Sequence, residues 1–174
     1  MRRAPALLLV ALASGVLNGP AGAQDKATAK DRATVESCLK AAEAAKRGPE
    51  TCIGSVQGPC IEAPGGDTTM GMKECAGREI AVWDERLNAA YRKVLSGQLG
   101  TQEAVRGGGS RKLTGADILR DAQRSWISFR DKKCDAASLP MEGGTGAGLL
   151  SVDCYLQETA RQALWLEGLN ESAR

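Results

Sequence analysis

Hydrophobic positions in this chain recur every three to four residues in four long stretches and almost never alternate, which predicts helices and next to no strand. In residues 25–46, Val35, Cys38, Leu39 and Ala42 fall at i, i+3, i+4 and i+7. This first helix is expected to leave at Gly48-Pro49. A long helix opens near Thr68 or Thr69, where a hydroxyl can cap the first turn, and runs to about Ser96. Its apolar face carries Met72, Cys75, Ala76, Ile80, Trp83, Leu87, Tyr91 and Val94. The next helix starts at the capping-box-like Thr114 and Asp117, carries Leu119, Ala122, Trp126 and Phe129, and reaches about Cys134. A last one, 149–169, aligns Leu149, Val152, Leu156, Ala160 and Ala163.

The connections are rich in residues that stop helices. Segment 50–67 holds Cys52, Cys60, four glycines, Pro59 and Pro64, and has room for one short helical turn at 51–56. Residues 97–109 contain five glycines and read as a flexible stretch, with Arg106, Arg111 and Lys112 as basic residues at its far end. Pro140 and the glycines of 143–148 form the turn into the last helix. Neither glycine run completes a phosphate-binding motif. The expected fold is all-α, a disulfide-linked bundle of about four helices with an irregular Cys/Gly/Pro-rich N-terminal loop.

The first 23 residues change where this bundle is expected to work. Arg2 and Arg3, an apolar run of 12 residues at 6–17 and the Ala21-Gly22-Ala23 site read as a secretory signal cleaved after Ala23. That run is shorter than the roughly 20 residues needed to cross a bilayer. No cysteine follows it to carry a lipid, so the mature form is expected to be periplasmic or secreted, without a membrane anchor. The expected organisation is thus a signal at 1–23, an N-terminal helix and loop at 24–67, and a helical domain at 68–174.

Removing the signal leaves 151 residues with 21 Lys+Arg against 21 Asp+Glu. A neutral chain has no global field for phosphate backbones, so no nucleic-acid partner is expected. Only six residues are aromatic, which leaves much of the core to Leu, Val, Ala and Met.

Six cysteines in an exported chain read as a disulfide framework, each bridge contributing about 2–4 kcal/mol. Six permit 15 connectivities and spacing does not choose among them. The expected set joins Cys134 to Cys154 across the glycine turn, Cys52 to Cys60 within the Pro/Gly loop, and Cys38 to Cys75 between the first two helices. Zinc is disfavoured by the lack of any C-x2-C pair and of any histidine. No cofactor is expected. Without histidine, Ser-His-Asp and Cys-His nucleophiles are excluded. Glu79, Asp84 and Glu85 are the nearest carboxylate cluster for glycoside chemistry, but adjacent residues face different helix sides and the group reads as a solvated or ion-paired face. The chain is not expected to be an enzyme.

Cys75, Trp83-Asp84, Leu87-Asn88 and Tyr91, then Gln123-Arg124, Trp126, Phe129-Arg130-Asp131 and Cys134, then Gly143-Gly144-Thr145, Cys154, Thr159 and Arg161 form an ordered set. Over residues 70–167 this resembles the LprI N-terminal family, small exported bacterial proteins named for a mycobacterial lipoprotein that inhibits lysozyme. The resemblance implies an all-helical envelope protein, with lysozyme as a partner. The alternative is a cell-envelope binding or structural module with another protein or glycan partner and no inhibitory activity. Physically, Trp83, Leu87 and Tyr91 on the long helix are expected to interlock with Trp126 and Phe129 of the next. Asp84 and Asn88 would then meet Gln123, Arg124, Arg130 and Asp131 along the seam's edge. Arg106, Arg111 and Lys112 are the candidate binding loop, supplying a cation to the carboxylates of an enzyme cleft.

Overall fold

The computed structural model describes residues 26–105 and 112–173. Helix α1, Ala29–Ala44, starts four residues later than its hydrophobic pattern suggests, because Thr28 and Asp31 form a reciprocal capping box. It ends with Lys46 in the left-handed region at φ 52°, while Arg47 N donates to Ala42 O at 2.8 Å. The exit is thus a Schellman-type turn built on a lysine, two residues before the expected Gly48-Pro49. A 3-10 turn at Pro49–Cys52 and the short α2, Gln57–Ile61, bracket the stretch expected to be helical at 51–56.

Helix α3, Thr69–Ser96, begins and ends as expected, with Gly71 N donating to Thr68 Oγ1 at 3.0 Å. The glycine-rich connection that follows is not featureless. It contains a single turn, α4 (Gln98–Thr101), and a two-stranded antiparallel hairpin, β1 (Glu103–Val105) with β2 (Lys112–Thr114). Close backbone approach explains two of its glycines: a Cβ on Gly100 would lie 2.0 Å from Leu95 O, and one on Gly115 1.8 Å from Leu99 O. Helix α5, Gly115–Ser138, starts at the predicted Thr114–Asp117 capping box and continues a turn beyond Cys134. A second 3-10 turn leads to α6, Ala147–Ser172.

Helices α3 and α6 run in the same direction, since Gly148 lies against Lys73 near one end and Glu167 pairs with Arg86 at 2.8 Å farther along. Helix α5 returns antiparallel, tied to α6 by Lys133–Glu158, by Cys134–Cys154 and by Gln162 donating to Gln123 at 2.9 Å. The main partner of α3 is therefore α6, and α3 touches α5 only slightly. This corrects the expected α3–α5 aromatic seam. Leu156, Ala160, Ala163 and Leu166 are all fully buried, and two small alanines in that row let the helices approach closely. Trp83 and Leu87 do enter the core and Trp126 and Tyr91 pack against it, but Phe129 is 56% exposed. The ammonium of Lys133 lies 5.6 Å above the Phe129 ring.

The disulfides are Cys38–Cys52, Cys60–Cys75 and Cys134–Cys154. The last agrees with the expected pairing; Cys52–Cys60 and Cys38–Cys75 do not form. The cause is the path of residues 53–57, which cross from α1 to α3. Cys52 is thereby left facing α1, and α2 carries Cys60 to Cys75.

Candidate functional site

What fixes that path is Glu79, a residue placed by its side chain's environment rather than by its exposure. Its carboxylate is fully buried, and each oxygen accepts two N–H groups. Oε1 takes Gly54 N at 2.7 Å and Trp83 Nε1 at 2.9 Å, and Oε2 takes Val56 N at 2.8 Å and Gln57 N at 2.7 Å. Gly54 turns the chain at φ 98°, a conformation that disfavours any side chain. Residues 54–57 thus form a concave amide nest around an internal anion. Glu79 is neither solvated nor ion-paired, against the sequence reading, and both of its oxygens are committed.

The other two carboxylates of that cluster also have separate duties. Glu85 receives a bidentate pair from Arg32 of α1, at 2.6 and 2.7 Å, and this hydrogen bonding holds its pKa below the usual carboxylate value. Asp84 is exposed and accepts from Asn88 Nδ2 at 2.9 Å. The three groups do not converge on a common point.

One residue before Glu79 on the same helix, Arg78 reaches back to α1. Its Nε and Nη2 donate to Asp31 at 3.2 and 2.5 Å, and its Nη1 lies 3.4 Å from Cys60 Sγ. Burial pushes the Asp31 carboxyl up, but hydrogen bonds from Arg78 and Thr28 outweigh it and leave the pKa lowered.

Between α3, α6 and the segment leading into α1 lies a groove of about 550 Å³ that Arg130 of α5 also lines. The Arg130 guanidinium sits 4.9 Å from the Trp126 ring centre and 5.1 Å from that of Tyr155. Its Nε and Nη2 both donate to Asp131 Oδ1, at 3.0 and 2.9 Å. Burial, then the charges of Asp131 and Asp135, raise the Tyr155 hydroxyl above its ordinary value. Thr159 lines the same groove, is 1% exposed, and its Oγ1 has no hydrogen-bond partner among the described residues.

Of the polar residues expected to meet across the seam, only Arg130 reaches the groove that Asp84 lines. Gln123 is buried against Gln162 of α6, and Arg124 is exposed and bonded to Asp121 of its own helix. Arg106 and Arg111 lie outside the described residues, while Lys112 pairs through its backbone with Val105. Sequence reasoning missed Asp31, Arg78 and Tyr155, and gave Glu79 the wrong surroundings. A signal for Glu79 existed, because it falls in the row Cys75, Glu79, Trp83, Leu87, four residues apart on the apolar face.

The family described as Lysozyme inhibitor LprI matches residues 60–166. This chain belongs to that LprI family. The LprI match starts at Cys60 and so includes the Cys60–Cys75 and Cys134–Cys154 bridges, the Glu79–Trp83 bond and most of the Arg130 groove. Helix α1 and Cys38–Cys52 lie before it. An uncharacterized protein of Rhizobium meliloti (strain 1021) is 29% identical over 104 residues, 60% of this chain and 75% of that protein. No solved structure matches the chain. No helix among the described residues is long and apolar enough to cross a membrane.

Proposed function

We propose that this LprI-family chain is exported, loses residues 1–23, and inhibits a lysozyme by occupying its cleft. The observation that carries this reading is the match of the lysozyme-inhibitor family to residues 60–166, which is most of the disulfide-tied bundle. Inhibition by occupancy needs a presented surface and no reactive group. All six cysteines are in bridges, the chain has no histidine, and among the described residues the fully buried carboxylates are committed, Glu79 to four N–H donors and Asp31 to Arg78 and Thr28.

The contact segment we assign is 106–111 with Lys112. The paired strands β1 and β2 bring its two ends together, and Gly115 N donating to Gln102 O at 2.8 Å ties the stalk to the start of α5. Arg106, Arg111 and Lys112 supply cations to a cleft whose chemistry depends on two carboxylates.

The test is residual activity of several lysozymes, animal and bacteriophage among them, at micromolar excess of the mature protein. Inhibition of at least one, weakened in the Arg106→Ala/Arg111→Ala protein with its thermal unfolding unchanged, is the expected result. No inhibition of any of them removes the reading. Export is checked separately by N-terminal sequencing of the envelope fraction, which should begin at Gln24.

A further inference from the structure

Each disulfide pairs a half-buried sulfur, that of Cys38, Cys60 or Cys154, with a buried one, that of Cys52, Cys75 or Cys134, so exposure alone does not rank the three bridges. What sets one of them apart is a cation. Arg78 Nη1 donates to Cys60 Sγ at 3.4 Å, and among the described residues no other cysteine sulfur accepts a hydrogen bond. The guanidinium is fixed there by its other edge, where Nε and Nη2 donate to Asp31 at 3.2 and 2.5 Å. Asp31 offsets part of the charge, but the N–H that faces sulfur remains a charge-assisted donor.

Such a donor gives little to a disulfide sulfur and much more to a thiolate, because the charged form is the stronger acceptor and a neighbouring cation lowers a thiol's pKa. The contact therefore favours the reduced pair over the bridge, which makes this bridge easier to open. Opening it leaves its surroundings anchored. On one side of Cys60, Val56 N and Gln57 N donate to the buried Glu79 carboxylate at 2.8 and 2.7 Å. On the other, Gly66 packs so closely that a Cβ there would lie 2.2 Å from Cys60 O. Both flanks are held without sulfur, so Cys60 stays beside Cys75 and the bridge can close again.

We infer that Cys60–Cys75 is a thiol–disulfide exchange site, opened ahead of the other two bridges by a dithiol reductant. A reductant thiolate attacks the half-buried Cys60 Sγ; the S–S bond breaks, and Cys75 leaves with the electron pair and takes a proton from solvent. The second thiol of the reductant gives its proton to solvent and attacks the reductant's own sulfur in the mixed disulfide. Cys60 then leaves as a thiolate, received by Arg78. Two electrons have passed to the protein, and the dithiol has become a disulfide. None of these residues belongs to the segment assigned to lysozyme, so the two proposals stand or fall separately.

The experiment equilibrates the mature protein with graded dithiothreitol, traps free thiols with N-ethylmaleimide and maps the labelled peptides. Cys60 and Cys75 are expected to be labelled at about tenfold less reductant than the other four cysteines, with helical circular dichroism unchanged. Arg78→Gln should need about fivefold more reductant to open the same bridge. The sign is informative, because an arginine that merely braces the fold would, on removal, loosen the loop and let the bridge open more readily. Glutathione, a monothiol, should leave its mixed disulfide on Cys60 of the wild type, which keeps the test decisive should Arg78→Gln fail to fold. Another bridge opening first in the wild type, all three opening together there, a folded Arg78→Gln protein opening Cys60–Cys75 as readily as the wild type or more so, or glutathione found on Cys75 each overturns the inference.

Discussion

Trp83 donates its indole N–H to Glu79 one turn earlier on the same helix, and that carboxylate in turn gathers the backbone of residues 54–57. The bond therefore joins the core of the three-helix bundle to the N-terminal loop. A buried anion with four donors also leaves no room for a neutral substitute. In Glu79→Gln, whichever way the amide turns, its NH2 faces two N–H donors. Loss of about 2–4 kcal/mol is expected from equilibrium urea unfolding.

Acid should expose the Asp31–Arg78 pair. Burial works against the Asp31 carboxylate and the hydrogen bonds from Arg78 and Thr28 overcome it, so its folded-state pKa lies below the unfolded value of about 3.9. The stabilisation it brings is fully present above that value and is lost as pH falls through the lower folded one. Stability measured from about pH 6 down to about pH 2 should drop less steeply in Asp31→Asn than in the wild type. The exposed Arg32–Glu85 pair, screened by solvent, should contribute much less to that slope.

Lys46 occupies a helix exit that favours glycine. Its positive φ carries a steric cost that Lys46→Gly removes, partly offset by the freer unfolded chain. A net gain of about 0.5–1 kcal/mol is expected by thermal unfolding. Lys46→Ala should show no gain.

The three bridges should differ in consequence. Cys38–Cys52 lies before the family match, with a sequence separation of 14. Replacing both by serine should cost about 3 kcal/mol while leaving one cooperative transition. Cys134 is fully buried between α5 and α6, so Cys134→Ser with Cys154→Ser should broaden or abolish that transition. Peptide mapping of unreduced protein should return 38–52, 60–75 and 134–154.

The long helices were legible because their signals are local: a threonine before α3, a Thr114–Asp117 box before α5 and apolar rows at helical spacing. The two missed disulfide pairings depend instead on Glu79 contacts made across 22–25 residues, which no spacing of cysteines encodes. The hairpin escaped because strands of three residues are too short to show alternation. Helix α6 was expected as one more bundle member, but its buried row 156, 160, 163 and 166 made it the partner of α3. For the candidate groove, Asp84 and Arg130 could be named in advance. Their company could not, since Thr159 and Tyr155 arrive from α6 and Ala27 from the approach to α1.

Because α3 and α6 start together, Cys60–Cys75 and Cys134–Cys154 both clasp the same extremity of the rod. The far extremity, where α4, the hairpin and the last turns of α6 gather, is held by side-chain packing and backbone bonds such as Gly115 N to Gln102 O, with no disulfide in it among the described residues. Thermal fraying should therefore travel in one direction, and amide exchange should run fastest around Leu99 and Leu169, slowest around Cys75 and Cys154. A molecule clasped at one end in this way should loosen first at the end that carries α4 and the strands β1 and β2.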